Sequence, residues 1–278
     1  MSSTRPGATT TAGATGTTRC RRRRATSCWG CATTSEPWHP AGLARTLFPK
    51  QGRRAVVLCD GPPPPYAVLD HWLAEADVFI CADAAGRPYE RLPRLPDLII
   101  GDFDALRRDE TARIAADESG GTVDGLPALH VAEQESTDSE KALLWALKRF
   151  FAEAVLLGAT GARLDHSFFN VSLVERFADR MSLCIADEFS VTIRLAPHSF
   201  THWPLPVGTG FSLIPLASPV SDVNLAGAAY PLHDARLAPG GPATVSNRVV
   251  APPLGVRVGR GSLLLSVSLL RDRDRRWS

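Results

Sequence analysis

The sequence predicts an α/β domain with an open, mostly parallel sheet and flanking helices, followed by an all-β sandwich domain. Three observations carry this. From Arg54 to Ala186, short β-rich runs alternate with segments whose apolar residues recur at helical spacing. Beyond about Ser190 the helical period stops, and short apolar runs are punctuated by Pro and Gly. Before residue 53 neither period is present, and residues 1–35 contain no acid among their Thr, Ala, Gly, Ser and Arg. The chain therefore divides into a disordered low-complexity tail over 1–52, an α/β unit over 53–188, a β-sandwich over 189–270 and a charged C-terminal tail over 271–278.

In order, the expected strands of the first unit are Ala55–Cys59, Asp77–Ala82, Asp97–Gly101, Ala128–Val131, Ala154–Leu157 and Leu183–Ala186. Tyr66–Ala76, Arg107–Asp117, Asp138–Phe151 and Leu164–Phe177 are the helices between them. Sheets of this kind bind ligands at the carboxyl ends of their strands. In the second unit the expected strands are Val191–Leu195, Gly210–Ile214, Val220–Leu225, Ala243–Ser246, Val256–Val258 and Ser262–Val267.

Composition narrows the class. With 278 residues and 44% hydrophobic content the chain closes a real core. Its apolar runs fall far short of the ~20 residues of a spanning helix, so no membrane segment is expected. The formal charge of +2 hides an asymmetry: ten basic residues against Glu36 alone lie in 1–54, which leaves the remainder acidic on balance. A folded region of that sign lacks the footprint of a general nucleic-acid binder. Six scattered cysteines, three of them in or beside apolar runs, fit a reducing, cytoplasmic setting. The tail is Arg- and Ser/Thr-rich like a transit peptide but has no amphipathic face.

Three strands end in acids. Asp83 follows the second, Asp102 and Asp104 the third, and Glu133 and Glu135 the fourth. In an extended Asp102-Phe103-Asp104 both carboxylates project to one side. Such a pair offers oxygens for one hard cation of the Mg²⁺ type, which takes one or two carboxylates together with substrate phosphates. The competing reading is a turn whose acids cap local amides. Thr137 and Glu140 form a capping box that opens the Asp138 helix, and Lys141 adds a positive charge one turn in, where phosphate would sit. A solvated lysine on a helix face is the alternative. Gly158 through Arg163 is a glycine-containing strand-to-helix loop, with Asp165 and His166 just beyond. It lacks both the Gly-x-Gly-x-x-Gly and the Walker spacings.

Together and in this order, Cys81-Ala82-Asp83, Pro96 through Asp104, Thr137 through Ala142, and Gly158 through His166 resemble the thiamine pyrophosphokinase (thiamine diphosphokinase) family. Gly210 through Leu216, Gly227, Tyr230-Pro231-Leu232 and Val245-Ser246-Asn247 are similar to its β-domain signatures. The resemblance implies Mg²⁺-dependent transfer of pyrophosphate from ATP to the thiamine hydroxyl, with release of AMP, by a homodimer. It implies catalytic roles for Asp83, Asp102, Asp104 and Asp138, with Asp102, Asp104 and Asp138 on the metal. Thr137, Lys141 and Arg163 would contact the nucleotide. Asp165 and His166, with Ser246 and Asn247 of a neighbouring subunit, would shape the thiamine pocket. Two other readings compete: pyrophosphate transfer to a different alcohol, and a catalytically weak nucleotide-binding regulatory protein.

Overall fold

The computed structural model describes residues 39–104, 120–216, 219–242 and 244–270. The helix expected over 107–117 and the C-terminal tail lie outside the described residues, as does residue 243 of one expected strand.

The first described element corrects the expected extent of the tail. Pro40–Leu47 is a helix, α1, with Pro at its first turn and Leu43, Ala44 and Leu47 buried in the core. Two turns carrying three apolar anchors are too short to show a period in a biased stretch.

Eleven strands form one sheet. In chain order they are β1 (Arg54–Leu58), β2 (Val78–Ala82), β3 (Leu98–Gly101), β4 (Gly121–Val123), β5 (Leu126–His130), β6 (Glu153–Leu157), β7 (Ser182–Ala186), β8 (Ser190–Leu195), β10 (Gly210–Pro215), β13 (Asn247–Arg248) and β15 (Leu263–Ser268). Their order across the sheet is β13-β10-β15-β8-β7-β6-β1-β2-β3-β5-β4. From β7 to β5 every pairing is parallel, and these strands read as continuous apolar runs because both faces are covered. Val56, Leu58, Phe79, Cys81 and Ile99 enter one core, shared with α1 and α2 (Tyr66–Leu73). Ala55, Val57, Cys59, Ile80 and Ile100 enter the other, under α3 (Asp138–Lys148) and α4 (Leu164–Arg176).

The sheet does not stop at the expected boundary near residue 188. Asp187 accepts the amides of Phe189 and Ser190 at 2.8 and 2.7 Å, turning the chain so that β8 pairs antiparallel with β7. Strands β8, β15, β10 and β13 thereby extend the parallel sheet into one layer of the sandwich. The second layer has the order β12-β11-β14-β9, with β9 (Ser199–Trp203), β11 (Val220–Ala226), β12 (Leu232–Leu237) and β14 (Leu254–Val258). The two layers share Ile193, Leu213, Leu265, Val223 and Val256 in one core. The sequence reading misses β4, β9 and β12 and places a strand at Ala243–Ser246, just short of β13; in β9 (SFTHW) and β12 (LHDARL) polar side chains dilute the alternation.

The path decides where a ligand can enter. From β1 the chain lays strands outward through β2, β3 and β5, then returns to place β6 and β7 on the other side of β1. Strand order thus reverses between β1 and β6, and a crevice opens there at the carboxyl ends.

Candidate active site

A cavity of about 350 Å³ occupies that crevice. Five loops at the carboxyl edge contribute: Asp60 and Gly61 after β1, Asp83 after β2, Asp102 after β3, Gln134 to Thr137 before α3 with Asp138 and Ser139 in its first turn, and Gly158 to Thr160 with Ala162 and Arg163 after β6. The inner face of α4 closes it with His166, Ser167 and Asn170.

Asp83 sits in a left-handed conformation, φ 50°, on the first residue after β2. Its amide donates to the Ile100 carbonyl at 2.8 Å, and its own carbonyl accepts the buried Tyr89 hydroxyl at 3.3 Å. The backbone of β3 passes beneath it: a Cβ on Gly101 would lie 3.0 Å from the Asp83 Cα. That approach is the structural reason for glycine before Asp102. Asp83 Oδ1 is buried and has no hydrogen-bond partner. Burial, reinforced by the charges of Asp138, Asp102 and Asp60, raises the Asp83 pKa.

Helix α3 begins as its capping residues dictate, since the Thr137 hydroxyl accepts the Glu140 amide at 3.4 Å. The reciprocal half of the capping box differs from expectation: the buried Glu140 carboxylate instead pairs with Arg176 of α4 at 2.8 Å. One turn in, Lys141 is buried and directs Nζ to Asp138 Oδ1 at 2.9 Å and to Asp102 Oδ2 at 3.6 Å. A solvated lysine is therefore excluded. Burial opposes the Lys141 ammonium, but the two acids outweigh it and hold its pKa above the usual range. Asp138 does not gain symmetrically, because burial and the Asp102 charge raise its pKa in spite of Lys141. For Asp102, burial is outweighed by hydrogen bonds from the Asp104 amide and from Gln134 Nε2 at 3.0 Å, and by Lys141, so its pKa falls.

The Asp102-Phe103-Asp104 segment corrects the extended reading. Phe103 has φ 57° and is buried, so the chain turns and the two acids part. Asp102 faces the cavity, while Asp104 is exposed and outside its lining. On the opposite wall, Arg163 forms a fork with Asp165 at 3.2 and 2.5 Å, and Arg163 draws the Asp165 pKa down to about 2. Both side chains are about two-thirds exposed, so the pair is weak and free to exchange.

Ser246 and Asn247 stand apart. Ser246 lines a separate small hollow on the sandwich with Phe189, Ser190, Phe211 and Ser212. The Asn247 amide is committed to Tyr230, accepting its N–H at 3.1 Å and donating to its carbonyl at 2.8 Å. Within one chain, then, the structure gathers Asp83, Asp102, Thr137, Asp138, Lys141, Arg163 and His166, with Asp165 held to Arg163 outside the lining, but not Asp104, Ser246 or Asn247. Asp60, Gln134 and Asn170 were missed. Asp60 obeys the same strand-end rule as Asp83, and Asn170 lies one turn beyond His166 on the same helix face.

The donor set suits a hard cation. It is all oxygen, it holds more acid than Lys141 neutralises, and Asp83 Oδ1 is an orphaned acceptor. Among the described residues no three ligating groups form a ready-made cage. A cation here would draw part of its shell from a phosphate substrate.

Comparison with known proteins gives one answer. The family model "Thiamin pyrophosphokinase, catalytic domain" matches residues 69–185, and "Thiamin pyrophosphokinase, vitamin B1 binding domain" matches residues 199–263. Thiamine pyrophosphokinase 1 of Oryza sativa subsp. japonica is 27% identical over 243 residues, covering 78% of this chain and 86% of its own. Thiamine pyrophosphokinase of Bacillus subtilis is 27% identical over 159 residues, 56% of this chain and 71% of its own. The crystal structure of the Bacillus subtilis protein superposes with TM-score 0.63 at 21% identity, over 78% of this chain and 99% of that one. Yeast thiamin pyrophosphokinase superposes with TM-score 0.67 at 15% identity, over 84% and 92%. At these identities the superpositions establish the fold.

Proposed function

The chain belongs to the thiamin pyrophosphokinase family, and from its cavity we infer an enzyme that transfers pyrophosphate from ATP to the thiamine hydroxyl, giving thiamine diphosphate and AMP. The convergence of Asp83, Asp102, Asp138 and Lys141 opposite Arg163, at the strand-order reversal, carries this reading.

The oxygen of the thiamine hydroxyl forms a bond to the β-phosphorus as the bridge from that phosphorus to the α-phosphate oxygen breaks, and AMP leaves with the bridging oxygen. Such transfers depend on positioning and on neutralising spread charge. Lys141 supplies a fixed positive charge beside the amides that open α3. Arg163 trades Asp165 for phosphate oxygens, a fork that matches their geometry. The hydroxyl proton has an acceptor at Asp83 Oδ1, buried and unpartnered until substrate arrives. His166, on the Arg163 wall, would border the acceptor alcohol. Bound Mg²⁺, held by Asp102 and Asp138, would offset phosphate charge during transfer. Asp104 is the further oxygen the same segment offers, from outside the cavity lining.

In a homodimer, the serine-lined hollow around Ser246 would face the neighbour's cavity and complete its thiamine site, with Asn247 shaping the Tyr230 loop. Three free, buried cysteines suit a cytoplasmic enzyme. Among the described residues no helix is long and apolar enough to cross a membrane. The test is AMP formation from ATP with and without thiamine: thiamine-dependent AMP supports the reading, and its absence, or equal AMP with other alcohols, refutes it.

A further inference from the structure

The loop from Gly158 to Arg163 is fastened from two sides. On the β1 side, the Gly61 amide donates to the Gly158 carbonyl at 2.9 Å, and a Cβ on Gly61 would come within 2.2 Å of that oxygen. On the α4 side, Asn170 is 6% exposed and donates from Nδ2 to the Ala159 carbonyl at 2.9 Å. Three residues earlier on the same helix face, Ser167 Oγ accepts the Gly161 amide at 3.2 Å and donates to the Arg163 carbonyl at 2.8 Å. Alternate residues of the loop are thus tied to one helix by side chains that border the cavity and spend their hydrogen bonds on main chain.

We propose that Asn170 and Ser167 are positioning residues that keep the β6–α4 loop in the shape that receives the nucleotide, and so set the affinity for ATP rather than the rate of transfer. The inference rests on the reading that this loop and Arg163 hold ATP. Two of its residues, Gly158 and Gly161, have positive φ of 61° and 109°. Glycines explore many conformations when untethered, so without the helix bonds the ordering entropy would be charged to each binding event. With them the loop amides and the Arg163 backbone are preorganised. The rate of transfer is set elsewhere, at the acids across the cavity, which neither residue bonds.

The experiment measures ATP binding by calorimetry and steady-state kinetics for Asn170→Leu, Ser167→Ala and Arg163→Gln. Asn170→Leu keeps the volume but strands a carbonyl. It is expected to raise both Kd and KM for ATP about tenfold, with kcat and the KM for thiamine within about twofold of wild type. Ser167→Ala, at a less buried site that leaves the fold intact, is expected to raise them about threefold. A lowered Tm with unchanged ATP affinity in both variants would mean a structural role only and would overturn the proposal. Arg163→Gln separates the premise from the inference. If it leaves ATP affinity unchanged, the nucleotide does not sit on this loop and both fall. If it weakens ATP while Asn170→Leu and Ser167→Ala do not, only the proposal fails.

Discussion

Two buried basic residues, each between two acids, lie toward opposite edges of the parallel sheet. At the amino edge, Arg54 is fully buried and bonds Glu75 at 2.7 Å, Glu153 at 3.3 Å and the Phe48 carbonyl at 3.0 Å, with the Phe48 and Trp72 rings 5.0 and 5.7 Å away. The other Glu153 oxygen accepts the amides of Gln51 and Gly52, so little acceptor capacity is left over, and of the guanidinium only Nε lacks a hydrogen-bond partner among the described residues. At the carboxyl edge, Lys141 has only Asp138 and Asp102 as ion-pair partners among the described residues, and both line a cavity. A guanidinium fork can be saturated by protein; an ammonium on a flexible stem is a point charge. The same triad of charges is a closed structural joint at one edge and an open, underfilled site at the other. Filling, more than residue type, separates stability from chemistry here.

The largest expected effect is at the closed joint. Arg54→Ala leaves Glu153 buried without its countercharge and should lower unfolding free energy by about 3–5 kcal/mol, measured as a shift in urea midpoint. Activity per folded molecule should be retained, and an unshifted midpoint would show that the joint is not structural. At the open site the pattern inverts. Asp102→Asn should reduce thiamine-dependent AMP formation on the order of 10²–10³-fold, about 3–4 kcal/mol of transition-state stabilisation, with little change in urea midpoint. Asp104→Asn, exposed beyond the lining, should lose less than about tenfold; equal losses would return Asp104 to the metal.

Linkage sharpens the contrast. The Asp83 pKa is raised above its unfolded value of 3.8 by burial and neighbouring acids, so between that value and its folded one the native state binds more protons, and stability falls as pH rises through the window. Asp83→Asn should thus be inactive yet slightly more heat-resistant at neutral pH, a gain that disappears below the unfolded value. An Asp83→Asn protein less stable than wild type at neutral pH would contradict this. The last effect belongs to the other edge. Burial, with Arg45, Arg54 and His39 nearby and Glu75 opposing, lowers the His71 pKa from 6.5 to about 4. The native state then binds fewer protons than the unfolded chain between these values, and stability should decline as pH falls from 6.5 to about 4. His71→Gln should flatten that part of a Tm-versus-pH curve, whereas an unchanged slope would assign the decline to other groups.

Much of the site was legible in the sequence because its parts are local. Asp83 and Asp102 each directly follow a strand, and Thr137 announces the helix that carries Asp138 and Lys141. The extended conformation expected of Asp102-Phe103-Asp104 is broken at one dihedral, φ 57° at Phe103, which no period-two pattern foresees. Arg54 stands one residue before the first expected strand, whereas β1 begins with it and the core encloses its side chain. Helix α1 was hidden in that same tail.

The sequence by itself determined which residues end strands, cap helices and bear charge, since these follow from periodicity and from backbone preferences within a few neighbours. Only the tertiary structure decided which of them meet. Residues 60, 83, 102, 138 and 159 become neighbours because parallel strands place all their carboxyl ends on one edge, and because the chain reverses its strand order beside β1. Whether Lys141 is solvated or buried, whether Arg54 is exposed or enclosed, and which carbonyl Asn170 holds depend on packing between segments far apart in sequence. Burial and Coulomb energy depend on distance in space, and the spacing of residues along a chain does not specify that distance.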